Sequence, residues 1–303
     1  MRARITLLVI LLSLCLSAKS QSRAYQAQIS GNFQANANFF MRDSLIGAAN
    51  TPQYDRQLYG AEGWLNLNYS NWGFDFGLRF DMFNNSNLLN PVDSYSDEGI
   101  GNWFVRKRID QLELSAGYIY DQIGSGIVFR AFEERPLLID NALRGFRVKY
   151  FFDDAWQIKA FTGRQKQRFD TYESVLKGIN LEGFLTFGTN GTLSLAPGLG
   201  IVNRTLDDAS MNALVASINT YPIEQAFVPR YNTYALTLYH TLSSEKFTWY
   251  LETAFKTEDA INNPFALQIT NGDTTISERF ISRPGTVYYT SLAYASKGLG
   301  MTI

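Results

Sequence analysis

Apolar and polar residues alternate with a period of two along most of this chain. In the segment 25–42, Tyr25, Ala27, Ile29, Gly31, Phe33, Ala35, Ala37, Phe39 and Met41 share one parity, and Gln26, Gln28, Ser30, Asn32, Gln34, Asn36 and Asn38 share the other. That is a strand with one apolar and one hydrated face. The same pattern predicts a hairpin at 57–70 and 72–83, joined at Ser70-Asn71, in which Trp72, Phe74, Phe76, Leu78, Phe80 and Met82 oppose Gly73, Asp75, Gly77, Arg79 and Asp81. Further strands are predicted at 103–109, 112–120, 142–151, 156–165, 178–187, 192–203, 231–241, 247–257 and 285–295, and one begins at Leu299. In 103–109 the faces are blurred, because Val105 and Ile109 share one with Lys107; in 112–120 they are clear, with Leu112, Leu114, Ala116, Tyr118 and Tyr120 together.

The connections alternate too. Short ones fall at Ser70-Asn71, Asp110-Gln111, Phe152–Ala155, Gly188–Gly191, Leu242–Lys246 and Ser296–Gly298, and long ones at 43–56, 84–102, 121–141, 166–177, 204–230 and 258–284. Long strands with short turns at one end and long polar loops at the other are the signature of a transmembrane β-barrel, with the short turns in the periplasm. A soluble sandwich also alternates, but its strands are shorter and its connections lack this rhythm. A solenoid requires a fixed repeat, and none is present. Aromatics beside the short turns (Tyr69, Trp72, Tyr150, Trp156, Phe247, Trp249) and near the loop ends (Phe39, Phe80, Trp103, Tyr120, Tyr234, Phe255) fit two interfacial girdles. The expected fold is therefore all-β: an antiparallel transmembrane barrel of at least 12 strands. Strand thirteen, Leu299–Ile303, ends after five residues, short of the nine to eleven or so of one crossing, so residues 21–303 are expected to be the N-terminal part of a larger barrel.

The N-terminus adds the compartment. Arg2 and Arg4 precede an apolar run from Ile5 to Ala18, and Ala18-Lys19-Ser20 supplies small residues around a cleavage point before Gln21. This order is that of a secretory signal peptide, residues 1–20. A lipoprotein signal is excluded because Leu14, not a small residue, precedes Cys15. Of the 27 basic residues, cleavage removes Arg2, Arg4 and Lys19, leaving 24 against 28 acidic ones, and it removes the only cysteine. The mature chain has no disulfide chemistry to perform. It has no basic field for nucleic acid, and no cofactor or metal-ligand spacing is present. The expected location is the Gram-negative outer membrane, with lipid as the surrounding partner and other outer-membrane proteins as potential contacts of loops 204–230 and 258–284.

Composition then takes on meaning. The 22 Phe, 17 Tyr and 5 Trp suit an outer wall and its interfaces. The single histidine, His240, shares a parity with Tyr234, Leu236 and Leu238 on the lipid side, which argues against a histidine-dependent hydrolase; no enzyme is expected. The inward parity carries Glu62, Asp75, Arg79, Asp81, Glu113, Arg147, Lys149, Lys159, Glu182, Glu252 and Lys256. The simpler reading is ion pairs that tie neighbouring strands; the functional one is a hydrated passage whose charges tune selectivity. The segment 124–145 stands apart. It occupies a long-loop position yet carries Ile127, Val128, Phe129, Phe132, Leu137, Leu138 and Ile139. Such a segment is expected to pack, either as strand extensions or folded into the mouth, where Arg130, Glu133, Glu134, Arg135, Asp140 and Arg144 would line a constriction.

The run Gly126–Gly145, with its Arg-Ala-Phe-Glu-Glu and Ile-Asp-Asn-Ala-Leu-Arg-Gly elements, and the closing Tyr294-Ala295-Ser296-Lys297-Gly298-Leu299-Gly300, resemble a family of Bacteroidota outer-membrane proteins of unknown function. The resemblance implies a barrel within a longer parent protein and carries no functional residue over. The function expected is a pore or transport component, with a structural or assembly role acting through the long loops as the alternative.

Overall fold

A computed structural model of the chain describes residues 27–41, 45, 58–86, 95–188, 192–264, 267–270, 273–276 and 279–303. The expected signal peptide, most of the connection 43–56 and parts of three other connections lie outside the described residues. The wall opens with β1 (Gln28–Phe39), β2 (Tyr59–Asn71), β3 (Phe74–Ser86), β4 (Tyr95–Ile109) and β5 (Leu112–Ile119). An insertion of short strands follows: β6 (Asp121–Ile123), β7 (Phe129–Ala131), β8 (Glu133–Glu134) and β9 (Ile139–Asp140), with a 3-10 turn at Arg135–Leu137. The wall resumes with β10 (Leu143–Phe151), β11 (Trp156–Gln167), β12 (Asp170–Gly183), its continuation β13 (Leu185–Phe187) and β14 (Leu193–Thr205). Helix α1 (Asp208–Ile218) precedes β15 (Asn232–Ser244) and β16 (Phe247–Asn262); the hairpin β17 (Leu267–Thr270) and β18 (Asp273–Ile276) precedes β19 (Phe280–Ser296) and β20 (Leu299–Thr302).

Every wall strand pairs antiparallel with the next wall strand in the chain, in the order β1-β2-β3-β4-β5-β10-β11-β12-β14-β15-β16-β19-β20, with β13 also on β14. Among the described residues no strand joins β1 to β20, so the sheet has two edges and is not closed. Its turns follow local rules. Trp72 and Gly73 both have positive φ (52° and 70°), as a two-residue hairpin turn of the primed type requires. The expected turn, Ser70-Asn71, is thus displaced by two residues. Because two is the strand period, β3 keeps its faces.

Burial is inverted relative to a soluble sheet. In β3, Phe76, Leu78, Phe80 and Met82 are exposed, while Arg79 and Asp81 between them are buried. In β15, Tyr234, Leu236 and Leu238 are exposed, and Thr233, Thr237 and Tyr239 are buried. In β14, Leu199 and Ile201 face out, while Val202 is buried. On the inner side, rings cover glycines across the ladder. A Cβ on Gly77 would meet the Phe104 ring at 2.2 Å, and one on Gly178 the Phe161 ring at 2.2 Å, so a side chain larger than hydrogen would displace the ring. These are registered cross-strand pairs, and the aromatic covers backbone that glycine leaves bare.

The wall curls around the insertion. The inner core joins Ile123, Phe129 and Ala131 of the insertion to Ile119, Leu143, Phe161, Val202 and Tyr239 of the wall. Ile123 is fully buried against Gly200 of β14. Of the two expected arrangements for 124–145, the part of the segment in the insertion therefore takes the inward one.

Candidate functional site

The interior surface of the wall and the insertion held against it form the candidate site. Three anchors fix the insertion. At the first, Arg79 of β3 pairs with Asp81 of its own strand at 2.7 Å, with Glu133 at 2.7 Å and with Asp140 at 3.3 Å. Lys166 of β11 reaches Asp140 at 2.5 Å and also donates to the carbonyl of Gly101 in β4, while the Tyr120 hydroxyl donates to Asp140 at 3.1 Å. At the second, Asp121 receives Arg147 of β10 at 2.7 Å and Lys159 of β11 at 2.8 Å, and Lys159 also donates to the Gln122 carbonyl. Arg147 further pairs with Glu113 at 3.2 Å. At the third, Glu252 of β16 accepts the Ser125 N–H at 2.9 Å, the Thr237 hydroxyl at 2.8 Å and the Tyr250 hydroxyl at 2.6 Å.

The anchors sit on strands far apart in the sheet, so the insertion bridges the interior rather than lying along one strand pair. Arg79 and Asp81 are nearly dry, and a buried charge is tolerated only when paired and hydrogen-bonded. Asp121, Glu133 and Asp140 of the insertion thus each meet a cation from the wall, and the wall carboxylate Glu252 is solvated by three neutral donors.

The residues expected at a constriction divide. Glu133, Arg135 and Asp140 converge on Arg79; Arg135 bonds Glu133 at 3.3 Å and lies over the Trp64 ring. Arg130 is exposed and stacks on Phe132. Glu134 is exposed, and its side chain has no partner among the described residues. Arg144 lies on wall strand β10 and donates to Thr171. Of the inward charges, Glu62 is buried and accepts the Ser86 hydroxyl. Asp75 is exposed at the short-turn end and accepts Ser70. Lys149 lies in register with Glu113 and Lys159. Glu182 accepts Tyr239 and Gln157, and Lys256 pairs with Asp259. His240 packs edge-on against Trp249 on the outer side, away from the anchors.

Two expectations need correction. Tyr118 and Tyr120 do not share the outer face of β5. Gly117 has a φ of 107° and breaks the alternation; the Tyr118 ring is buried under Lys166, 5.0 Å away, and Tyr120 bonds Asp140. Lys166 and Asp121, which strict parity did not select, carry two of the three anchors. Lys166 follows a register shift between Arg164 and Lys166, which turns it inward. Asp121 begins the insertion one residue past the expected strand. The signal for both is an acid or base at the junction of a strand and the apolar insertion.

Solved structures similar to the chain include OpdK of Pseudomonas aeruginosa, an outer membrane protein solved with vanillate (11% identity, TM-score 0.39, covering 89% of this chain and 77% of that one); OccAB3 of Acinetobacter baumannii (10%, 0.41, 91% and 77%); and a BenF-like porin from Pseudomonas fluorescens Pf-5 (12%, 0.39, 89% and 78%). No curated protein matches the sequence. The family profile described as a family of unknown function, DUF6029, matches residues 1–303, and the chain belongs to that family.

Proposed function

We propose that this chain is exported by its signal peptide, residues 1–20, to the outer membrane of a Gram-negative, Bacteroidota-type bacterium, and that its wall encloses a hydrated passage narrowed by the insertion 121–141. The observation that carries the reading is the inverted wall: arginine and aspartate inside, phenylalanine and leucine outside on the same strand. That arrangement suits hydrocarbon around the sheet and water within it. The insertion supplies what a selective pore needs, a fixed element of charged and aromatic groups set across the interior.

The test is conductance of the purified full-length protein in planar bilayers. Discrete channels are expected. A variant with 124–138 replaced by a short Gly/Ser linker is expected to give several-fold larger channels. Protein that is folded, by heat-modifiable gel migration, and shows no conductance in either form would overturn the reading. A second reading, assembly through the long loops, is favoured by Ile223 and Val228, 95% and 88% exposed in the loop that follows α1. It predicts crosslinked outer-membrane partners at those positions and unchanged permeability when they are replaced by serine.

A further inference from the structure

Beneath the insertion, at the short-turn end, the interior holds a cavity of about 480 Å³ that none of the anchors fills. Its roof is Gly124, the insertion residue next to Ser125, which Glu252 holds. Five aromatic side chains line it: Phe151, Trp156, Phe184, Tyr239 and Tyr250. Its charged lining is acidic only, Asp153, Asp154 and Glu182. Of the cations nearby, Lys159 stands 3.9 Å from Glu182 but is bonded to Asp121 at 2.8 Å, and Arg108 lies 4.9 Å over the Phe151 ring. Asp153 and Asp154 stand side by side at the exposed rim. Asp153 is fixed by the N–H groups of Ala155 and Trp156. Among the described residues the Asp154 side chain has no partner.

A cavity of this size suits a small organic molecule. Aromatic faces beside uncompensated carboxylates attract a positive group on an apolar body and repel a carboxylate of the same shape. We propose that this cavity is a binding subsite for organic cations, an ammonium carried on an aromatic or aliphatic body, met by a solute on the short-turn side of the insertion. The assignment of that solute to traffic rests on the reading of the interior as a passage.

The test uses the full-length protein in detergent micelles at low ionic strength, where rim charges are least screened. Phenyltrimethylammonium and, separately, benzoate are titrated while tryptophan fluorescence is followed. Saturable quenching by the ammonium is expected, lost in Trp156→Phe, weakened about three- to tenfold in Asp154→Asn, and not produced by benzoate. Asp154 is exposed and unpaired, so its replacement leaves the fold intact; Glu182→Gln, which also alters bonds to Tyr239 and Gln157, is the second variant. Equal quenching by benzoate, or ammonium quenching that persists in Trp156→Phe and is unchanged in Asp154→Asn, overturns the subsite. Channels without this binding would refute the subsite and leave the passage standing. Binding without channels would do the reverse.

Discussion

Arg79 shows how single residues organise the interior. One guanidinium meets three carboxylates, two of them from the insertion, in a place that is nearly dry. Arginine suits this position because its planar fork offers five donors and stays charged. Replacing it with methionine leaves Asp81, Glu133 and Asp140 facing one another, with Lys166 on Asp140 and the more exposed Arg135 on Glu133 as the remaining counter-charges. The expected loss is about 3–5 kcal/mol, the cost of breaking a buried pair from one side, read as a shift in denaturant unfolding of the membrane-embedded protein. Arg130→Ala, at an exposed residue of the same insertion, is expected to change stability by no more than about 0.5 kcal/mol. A second residue-scale prediction concerns Asp207, the N-cap of α1. The Ser210 hydroxyl and backbone N–H hold its carboxyl below the ordinary carboxylate value. A depressed folded pKa contributes stability above the unfolded value of about 3.9 and loses it as pH falls through the folded one. The first turn of α1 is therefore expected to fray below about pH 4, seen as faster amide exchange at Ser210. Asp207→Asn, which caps without ionising, is expected to flatten that dependence.

Among the elements, the strands whose two faces differ were legible from alternation, including the faces of β2, β3, β14, β15 and β16. What sequence missed has physical causes. β4, β12, β16 and β19 run well past the expected ends at the long-loop side: β12 begins at Asp170 rather than 178, and β16 reaches Asn262 rather than 257. Burial does not alternate there: in 170–177 of β12 Thr171 is the one buried residue of the eight. Two interruptions, at Gly117 and before Lys166, reverse parity inside a strand, and counting by twos cannot see them. Helix α1 lay within an expected loop. Its signals were present in the Asp207 cap and the buried Met211, Leu214 and Ile218 at spacings of three and four. For the candidate site, Glu133, Arg135, Asp140, Arg79, Arg147 and Lys159 were legible as charges, but their pairing across the interior was not, because it depends on the insertion folding inward. An element-scale test follows from the outer face of β3. Phe80→Arg is expected to cost about 2–4 kcal/mol, the depth-dependent penalty for a cation against lipid, in urea unfolding from lipid vesicles. Phe80→Leu is expected to unfold within about 1 kcal/mol of the parent. Equal effects would mean that this face does not meet hydrocarbon.

At the scale of the whole molecule, local hairpin pairing gives a continuous antiparallel wall, and the insertion gives its inner face something to pack on. The aromatic surplus divides accordingly. Some rings face outward or sit at the turns, such as Phe76, Phe80 and Trp72; others, such as Phe129, Phe161 and Tyr239, build the inner core. Every functional reading above depends on the same premise, that the exposed apolar face is the lipid face and the charged face is the inside. The most direct measurement is a nitroxide scan of 76–83 in lipid vesicles, comparing collision with oxygen, which concentrates in hydrocarbon, and with a water-soluble nickel chelate. The expected result is a period of two, with oxygen access maximal at 76, 78, 80 and 82 and minimal at 77, 79, 81 and 83. Uniform access to the nickel chelate along the strand, or an oxygen maximum at 79 and 81, would contradict the account.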